Sequence, residues 1–185
     1  PYHQRSTELP RLMIHSTGIF QKRIAALRSE MQKRKLDAFV STFPPSTRYL
    51  CGYSGSNGLL IVTKNNTHFF TDFRYQEIVQ TEVHSDVKTI GVGSLIAVAA
   101  KKRVFTPLKK IGFEKDYLPV SGLEHYRKFI DGKKITGVSG IVERLRELKD
   151  ESEIRILKKA FDISDRVFQK VLTIIKPGVS ELELS

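Results

Sequence analysis

The stretch CGYSGSNG (51–58) gathers residue types that catalytic and binding sites favour: a thiol, two serines and three glycines. Gly52, Gly55 and Gly58 suggest a phosphate cradle, but the context excludes one. A dinucleotide-binding loop follows a strand and opens a helix, whereas these glycines precede the apolar run LLIVT (59–63). No Lys-Ser or Lys-Thr pair follows them at P-loop spacing. The stretch reads as a Gly-rich turn feeding a strand. Flanked by Arg48, Tyr49 and Tyr53, and carrying Ser54, it can still face a ligand. Other chemistry finds less support. His3, His15, His68, His84 and His125 stand singly, without metal-ligand spacing, and His68 reads as a half-buried strand residue. Cys51 has no neighbouring base, and no G-x-S-x-G is present. Asp162 and Asp165, beside Arg166, read as a solvated helix face.

The elements that would position these residues alternate in type. Phe20, Ile24, Leu27 and Met31 recur at helical spacing through Leu36. DAFVST (37–42) has strand composition, and Pro44-Pro45 is expected to end it. LLIVT and HFFTD (68–72), joined by Lys64-Asn65-Asn66-Thr67, predict a hairpin, because asparagine tolerates positive φ. A helix over about 74–83 and strands at VKTIGV (87–92), IGFEK (111–115) and KITGVS (134–139) follow. Helices at LIAVAAKKR (95–103) and LPVSGLEHYRKFI (118–130) lie between those strands. This order predicts an α/β domain at about 12–140, with a mixed β-sheet flanked by helices. Residues 141–149 read as a linker. Beyond it, Asp150 and Glu153 make a capping box for a long amphipathic helix bearing Ile154, Leu157, Phe161, Phe168, Val171 and Ile175. Lys176-Pro177-Gly178 ends that helix, and Ser180 and Glu183 cap another.

The chain carries 31 Lys and Arg against 20 Asp and Glu, a net charge of +11. The surplus sits in segments 21–50 and 91–150, while 51–90 and 151–185 are nearly neutral. No zinc-finger spacing, basic leucine-zipper region or RNP-type strand accompanies it, so the reading is a basic solvated surface without specific nucleic-acid binding. A stand-alone basic binding module is the alternative. No apolar run is long enough for a membrane span, and the first twenty residues lack a signal-peptide pattern. The single cysteine fits a reducing compartment, so the expected location is cytoplasmic.

Three stretches in order, RYLCGYSGSNGLLIVT, FFTDFRY and ELKDESEIRILKKAFDISDRVFQKVLTIIKPGVSELEL, resemble the N-terminal half of the Xaa-Pro peptidases, the prolidase, aminopeptidase P and creatinase group. The sequence departs from that pattern at Phe73, where T-D-G-R-Y usually has glycine, and at Thr47, where asparagine is common. The resemblance implies a creatinase/prolidase-type N-terminal α/β domain, followed at 150–185 by the first helix of a truncated "pita-bread" metallopeptidase domain. It implies that the parent protein binds two divalent metal ions through two Asp, one His and two Glu, and that this fragment holds no cofactor or catalytic residue. The N-terminal domain is then expected to support a homodimer and to narrow access for short proline-containing peptides. Its substrate-facing edge would be the loop from Arg48 to Gly58, with Arg48, Tyr49, Tyr53 and Ser54 as contacts. Its partner would be its own catalytic domain. A creatinase-like amidinohydrolase is a second possibility within the same resemblance.

Overall fold

The computed structural model describes residues 17–130, 132 and 134–184; the first five residues of the expected domain, 12–16, lie outside them. Helix α1 (Thr17–Lys33) leads into β1 (Ala38–Ser41), α2 (Pro44–Cys51), and the hairpin β2 (Gly58–Thr63) and β3 (Thr67–Asp72). A single 3-10 turn (Phe73–Tyr75) opens into α3 (Gln76–Glu82), followed by β4 (Val87–Gly91) and α4 (Leu95–Lys101). Then come β5 (Lys110–Glu114), α5 (Val120–Arg127), β6 (Lys134–Val138) and α6 (Ile141–Glu147). The strands form one mixed sheet in the order β4-β3-β2-β1-β5-β6. β1 runs antiparallel to β2 and parallel to β5.

Both faces of this sheet are covered, which explains why its central strands are continuously apolar. Successive side chains on a strand point to opposite faces. Leu60 and Val62 of β2 pack with Leu27 and Met31 of α1, Leu50 of α2, Val79 of α3 and Ile141 of α6. Their neighbours Leu59 and Ile61 pack on the other face with Ile96 of α4 and Tyr126 of α5. Phe69 and Phe70 divide between the two cores in the same way.

Two expectations are corrected. Pro44-Pro45 does not merely end β1; it occupies the first positions of α2, where a missing N–H and a fixed φ are compatible with a helix start. Residues 141–147 are not linker but α6, and the compact unit that contains the sheet runs to Glu147 because Ile141 and Val142 are fully buried in its core.

A second unit, Leu148–Ser185, contains the 24-residue α7 (Glu151–Ile174) and the short α8 (Glu181–Leu184). Its start is as expected. Asp150 Oδ1 accepts from the N–H groups of Ser152 (2.9 Å) and Glu153 (3.0 Å), and Glu153 Oε2 accepts from the Asp150 N–H (3.0 Å). No residue of α7 is buried. At α8 the Ser180 N–H donates to Glu183 Oε2 at 2.8 Å, which is the Glu half of a capping box.

Candidate functional site

The end of the sheet where β1, β3 and β5 finish collects most of the side chains singled out in the sequence. Helix α2 closes on Gly52, whose φ of 87° is left-handed and whose N–H donates to the Arg48 carbonyl at 2.9 Å. A Cβ there would stand 2.5 Å from the Glu82 carbonyl oxygen, so only glycine fits.

After this turn the chain wraps round Tyr53. Its ring is 1% exposed and lies against Phe69 and Tyr75, with centroids at 4.6 and 5.8 Å. Its hydroxyl donates to the Asn57 carbonyl (2.9 Å) and meets Thr71 Oγ1 (3.2 Å). Burial raises the phenol pKa, which keeps the group a neutral donor. Gly55 is where a Cβ would collide with the Tyr53 hydroxyl.

The second motif holds the first. In the 71–75 segment, Thr71 Oγ1 donates to the Asn57 carbonyl, Asp72 accepts from the Asn57 amide, and the Tyr75 hydroxyl bonds Ser56 Oγ at 2.7 Å. Asp72 also receives both the Nε and Nη2 of Arg74, at 2.9 and 2.8 Å, and the Arg74 backbone N–H. Hydrogen bonds from Arg74 and Asn57 hold the Asp72 carboxyl far below the ordinary carboxylate range. Phe73, in the middle of this clamp, is 71% exposed.

The four residues chosen from the sequence therefore separate. Arg48 on α2 and Ser54 in the loop are exposed. Tyr49 and Tyr53 turn inward, contrary to the expectation of an exposed loop: Tyr49 because α2 runs to Cys51 and carries it to α6, and Tyr53 because the chain beyond Gly52 wraps round it. The Tyr49 hydroxyl donates to the Leu145 carbonyl at 3.0 Å, and the Arg23 guanidinium lies 4.2 Å from its ring centroid. The neighbouring Cys51 is buried, its Sγ donates to the Thr47 carbonyl, and burial pushes its thiol up to about 12, which leaves no thiolate nucleophile.

The same end of the sheet holds a carboxyl that the sequence reading missed. Glu114, the last residue of β5, is 5% exposed. Ser41 Oγ at the end of β1 donates to its Oε2, and Ser46 Oγ in the first turn of α2 donates to its Oε1 at 2.5 Å. Burial, opposed by these two hydrogen bonds, pushes its carboxyl up to about 7. Its partners lie 73 and 68 residues away in sequence, so no local pattern announced it.

This geometry ties loops together rather than presenting a nucleophile and base to a substrate. Among the described residues no three His, Cys, Asp or Glu side chains converge as a metal site, so these residues do not fit the two-metal centre that the resemblance implies. His68, on β3, is half-buried as expected of a strand residue. No helix among the described residues is long and apolar enough to cross a membrane.

The family model of the Creatinase/Prolidase N-terminal domain matches residues 23–148. An uncharacterized peptidase of Bacillus subtilis is 31% identical over 163 residues, which span 88% of this chain and 46% of that protein. The structure of a Xaa-Pro dipeptidase from Bacillus anthracis superposes with a TM-score of 0.83 at 35% identity, over 90% of this chain and 46% of that one. The N-terminal domain of the cytoplasmic peptidase PepQ from Mycobacterium tuberculosis superposes with a TM-score of 0.62 at 28% identity, over 68% of this chain and 98% of that one. The chain spans a little under half the length of curated relatives such as the Bacillus subtilis peptidase and two putative Xaa-Pro aminopeptidases. With its six-stranded mixed sheet and interlocked 51–58 and 71–75 segments, the chain belongs to the Creatinase/Prolidase N-terminal domain family.

Proposed function

We propose that the α/β unit is the non-catalytic N-terminal domain of a metal-dependent Xaa-Pro dipeptidase or aminopeptidase, a cytoplasmic hydrolase. The observation that carries this reading is the 35% identity, with a TM-score of 0.83, to the Bacillus anthracis Xaa-Pro dipeptidase over 90% of the chain. In this reading two divalent ions and the peptide-bond chemistry belong to the other half of the protein, and α7 with α8 begins that half. The α/β unit contributes shape. It supports a homodimer and narrows the approach to the centre, so that short proline-containing peptides are favoured. Arg48 and Ser54 are the exposed contacts on the substrate-facing edge, and Tyr49 and Tyr53 hold that edge from below.

The test has two arms. The 185-residue chain, incubated with an Xaa-Pro dipeptide and excess Mn²⁺, is expected to show no turnover; hydrolysis that co-purifies with the chain would overturn the non-catalytic reading. In the full-length parent, Arg48→Ala is expected to change KM or peptide-length preference with little loss of stability. Unchanged kinetics across a series of peptide lengths would remove Arg48 from the substrate edge.

A further inference from the structure

The opposite end of the sheet has a different chemistry. In sequence the cations fall in separate segments, but the strand order brings the segments together. Thr63 pairs with Ala38, Ala38 with Ile111, and Lys110 with Lys134. Lys64, Lys109 and Lys134 itself, with Lys35 in the turn that leads from α1 into β1, therefore lie at one end of four adjacent strands, β2-β1-β5-β6. At about 4.8 Å per strand the row is about 14 Å wide. Helix α4 ends on the same side, where Lys102 and Arg103 join Lys64, Asn65 and Asn66 in lining a cleft of about 480 Å³.

We infer that this end of the sheet is a docking surface for the phosphodiester backbone of nucleic acid, bound without sequence preference. Lys35, Lys64, Lys102, Arg103, Lys109 and Lys134 are all exposed. Among the described residues lining the cleft the one carboxylate is Asp37, and it is already engaged. Its Oδ2 accepts from the backbone N–H groups of Lys109 and Lys110, both at 2.9 Å, and its Oδ1 lies 3.9 Å from Lys64 Nζ. Two of the cations sit where glycine would be less strained, since Lys35 and Arg103 have φ of 55° and 58°. The dipoles of α1 and α4 favour cations at their C-termini, but they do not account for Lys64, Lys109 and Lys134 on the strand ends.

Among the described residues this surface offers a protein partner little to anchor on: of the apolar residues lining the cleft, Val104, Pro107 and Leu108, the last is buried, and the exposed Val87 lies two strands away at the start of β4. Phe73 and Val92, at 71% and 89% exposure, lie beyond the other end of the sheet. A polar, strongly cationic surface is instead typical of contacts to phosphates. Among the described residues the cleft has no aromatic lining apart from His68, so bases have little to stack on and the backbone is what is gripped.

The experiment measures the anisotropy of a short fluorescein-labelled oligothymidylate against the 185-residue chain, from about 50 to about 200 mM salt. Binding is expected in the range of about 10⁻⁶ to 10⁻⁴ M, with log K falling as log salt rises. Lys64→Gln, Lys102→Gln and Lys109→Gln combined should weaken binding at least tenfold at low salt and flatten the salt slope by about 2. Neutralising Arg155, Lys158 and Lys159 on α7 should change neither. If the triple variant fails to fold, Lys35→Gly with Arg103→Gly removes charge while relieving left-handed backbone, and should weaken binding without lowering the melting temperature. Equal loss in the α7 variant, no loss in either sheet-end variant, or displacement by polyglutamate as effective as by unlabelled oligothymidylate would each overturn the inference. The last result would mark the surface as one for acidic protein.

Discussion

In α1 the stripe Phe20, Ile24, Leu27 and Met31 is no more than 6% exposed, whereas in α7 Ile154, Leu157, Phe161 and Phe168 are between 42% and 65% exposed. Both stripes repeat at helical spacing, and α7 begins on a complete capping box. Periodicity thus states which face of a helix seeks a partner and says nothing about what covers it. For α1 the cover is the core it joins, with Leu50 of α2, Ile141 and Val142 of α6, and Phe39, Leu60, Val62 and Phe69 of the sheet.

The sharpest way to break this comparison is to make the same substitution in both helices. Leu27→Ala is expected to cost about 3–5 kcal/mol, because a fully buried leucine leaves a cavity that its neighbours only partly fill. Leu157→Ala, at 43% exposure, is expected to cost less than about 1 kcal/mol. Urea denaturation of the two variants measures both. A cost for Leu157→Ala equal to that for Leu27→Ala would mean that the α7 face is covered after all.

A second test lies inside the buried unit, where polar groups are as enclosed as apolar ones. Burial lifts the Glu114 carboxyl from 4.5 to about 7, so between those pH values the folded state holds a proton that the unfolded state has released. Stability contributed by neutral Glu114 is therefore fully present below pH 4.5 and is lost as pH rises through 7. The loss amounts to about 3 kcal/mol. Glu114→Gln keeps a neutral group that can accept from one serine and donate to the other. The gap between this variant and the native chain should widen in the variant's favour from pH 5 to pH 8. A gap that does not change with pH would show that Glu114 is ionised in the fold.

The sequence made the hairpin and the α7 start legible because their signals are local: two apolar runs around Asn65-Asn66, and an Asp and a Glu three residues apart. The start of α2 is ambiguous in sequence, because a proline pair signals both an ending and a first helical turn, and the packing of Leu50 and Cys51 decides between them. The burial of Tyr53 has no local signal, because it depends on Phe69 and Thr71, which arrive with a later strand. The roles of Asp72 and Glu114 were hidden for the same reason. Charge was the least legible of all, since lysines that are distant in sequence become neighbours only through strand order.

The smallest expected effect on stability comes from the exposed stripe itself, yet it bears most on what α7 does. Each large apolar side chain left in water forgoes roughly 1.5–3 kcal/mol of burial, so a stripe of several should seek a second surface. In the 185-residue chain another copy can supply it, since a two-fold contact between α7 helices would cover both stripes at once. Replacing Phe161 and Phe168 with serine should therefore shift the sedimentation coefficient of the chain from dimer to monomer. The same change should alter the unfolding free energy of the α/β unit by less than about 0.5 kcal/mol, because neither ring is buried. If the serine variant remains a dimer, the contact lies in the α/β unit, and the homodimer proposed for the parent protein would rest on the sheet-bearing domain. If the native chain is a monomer at high concentration, the stripe needs a partner of another kind, and the catalytic half proposed for the parent protein is the surface to try next.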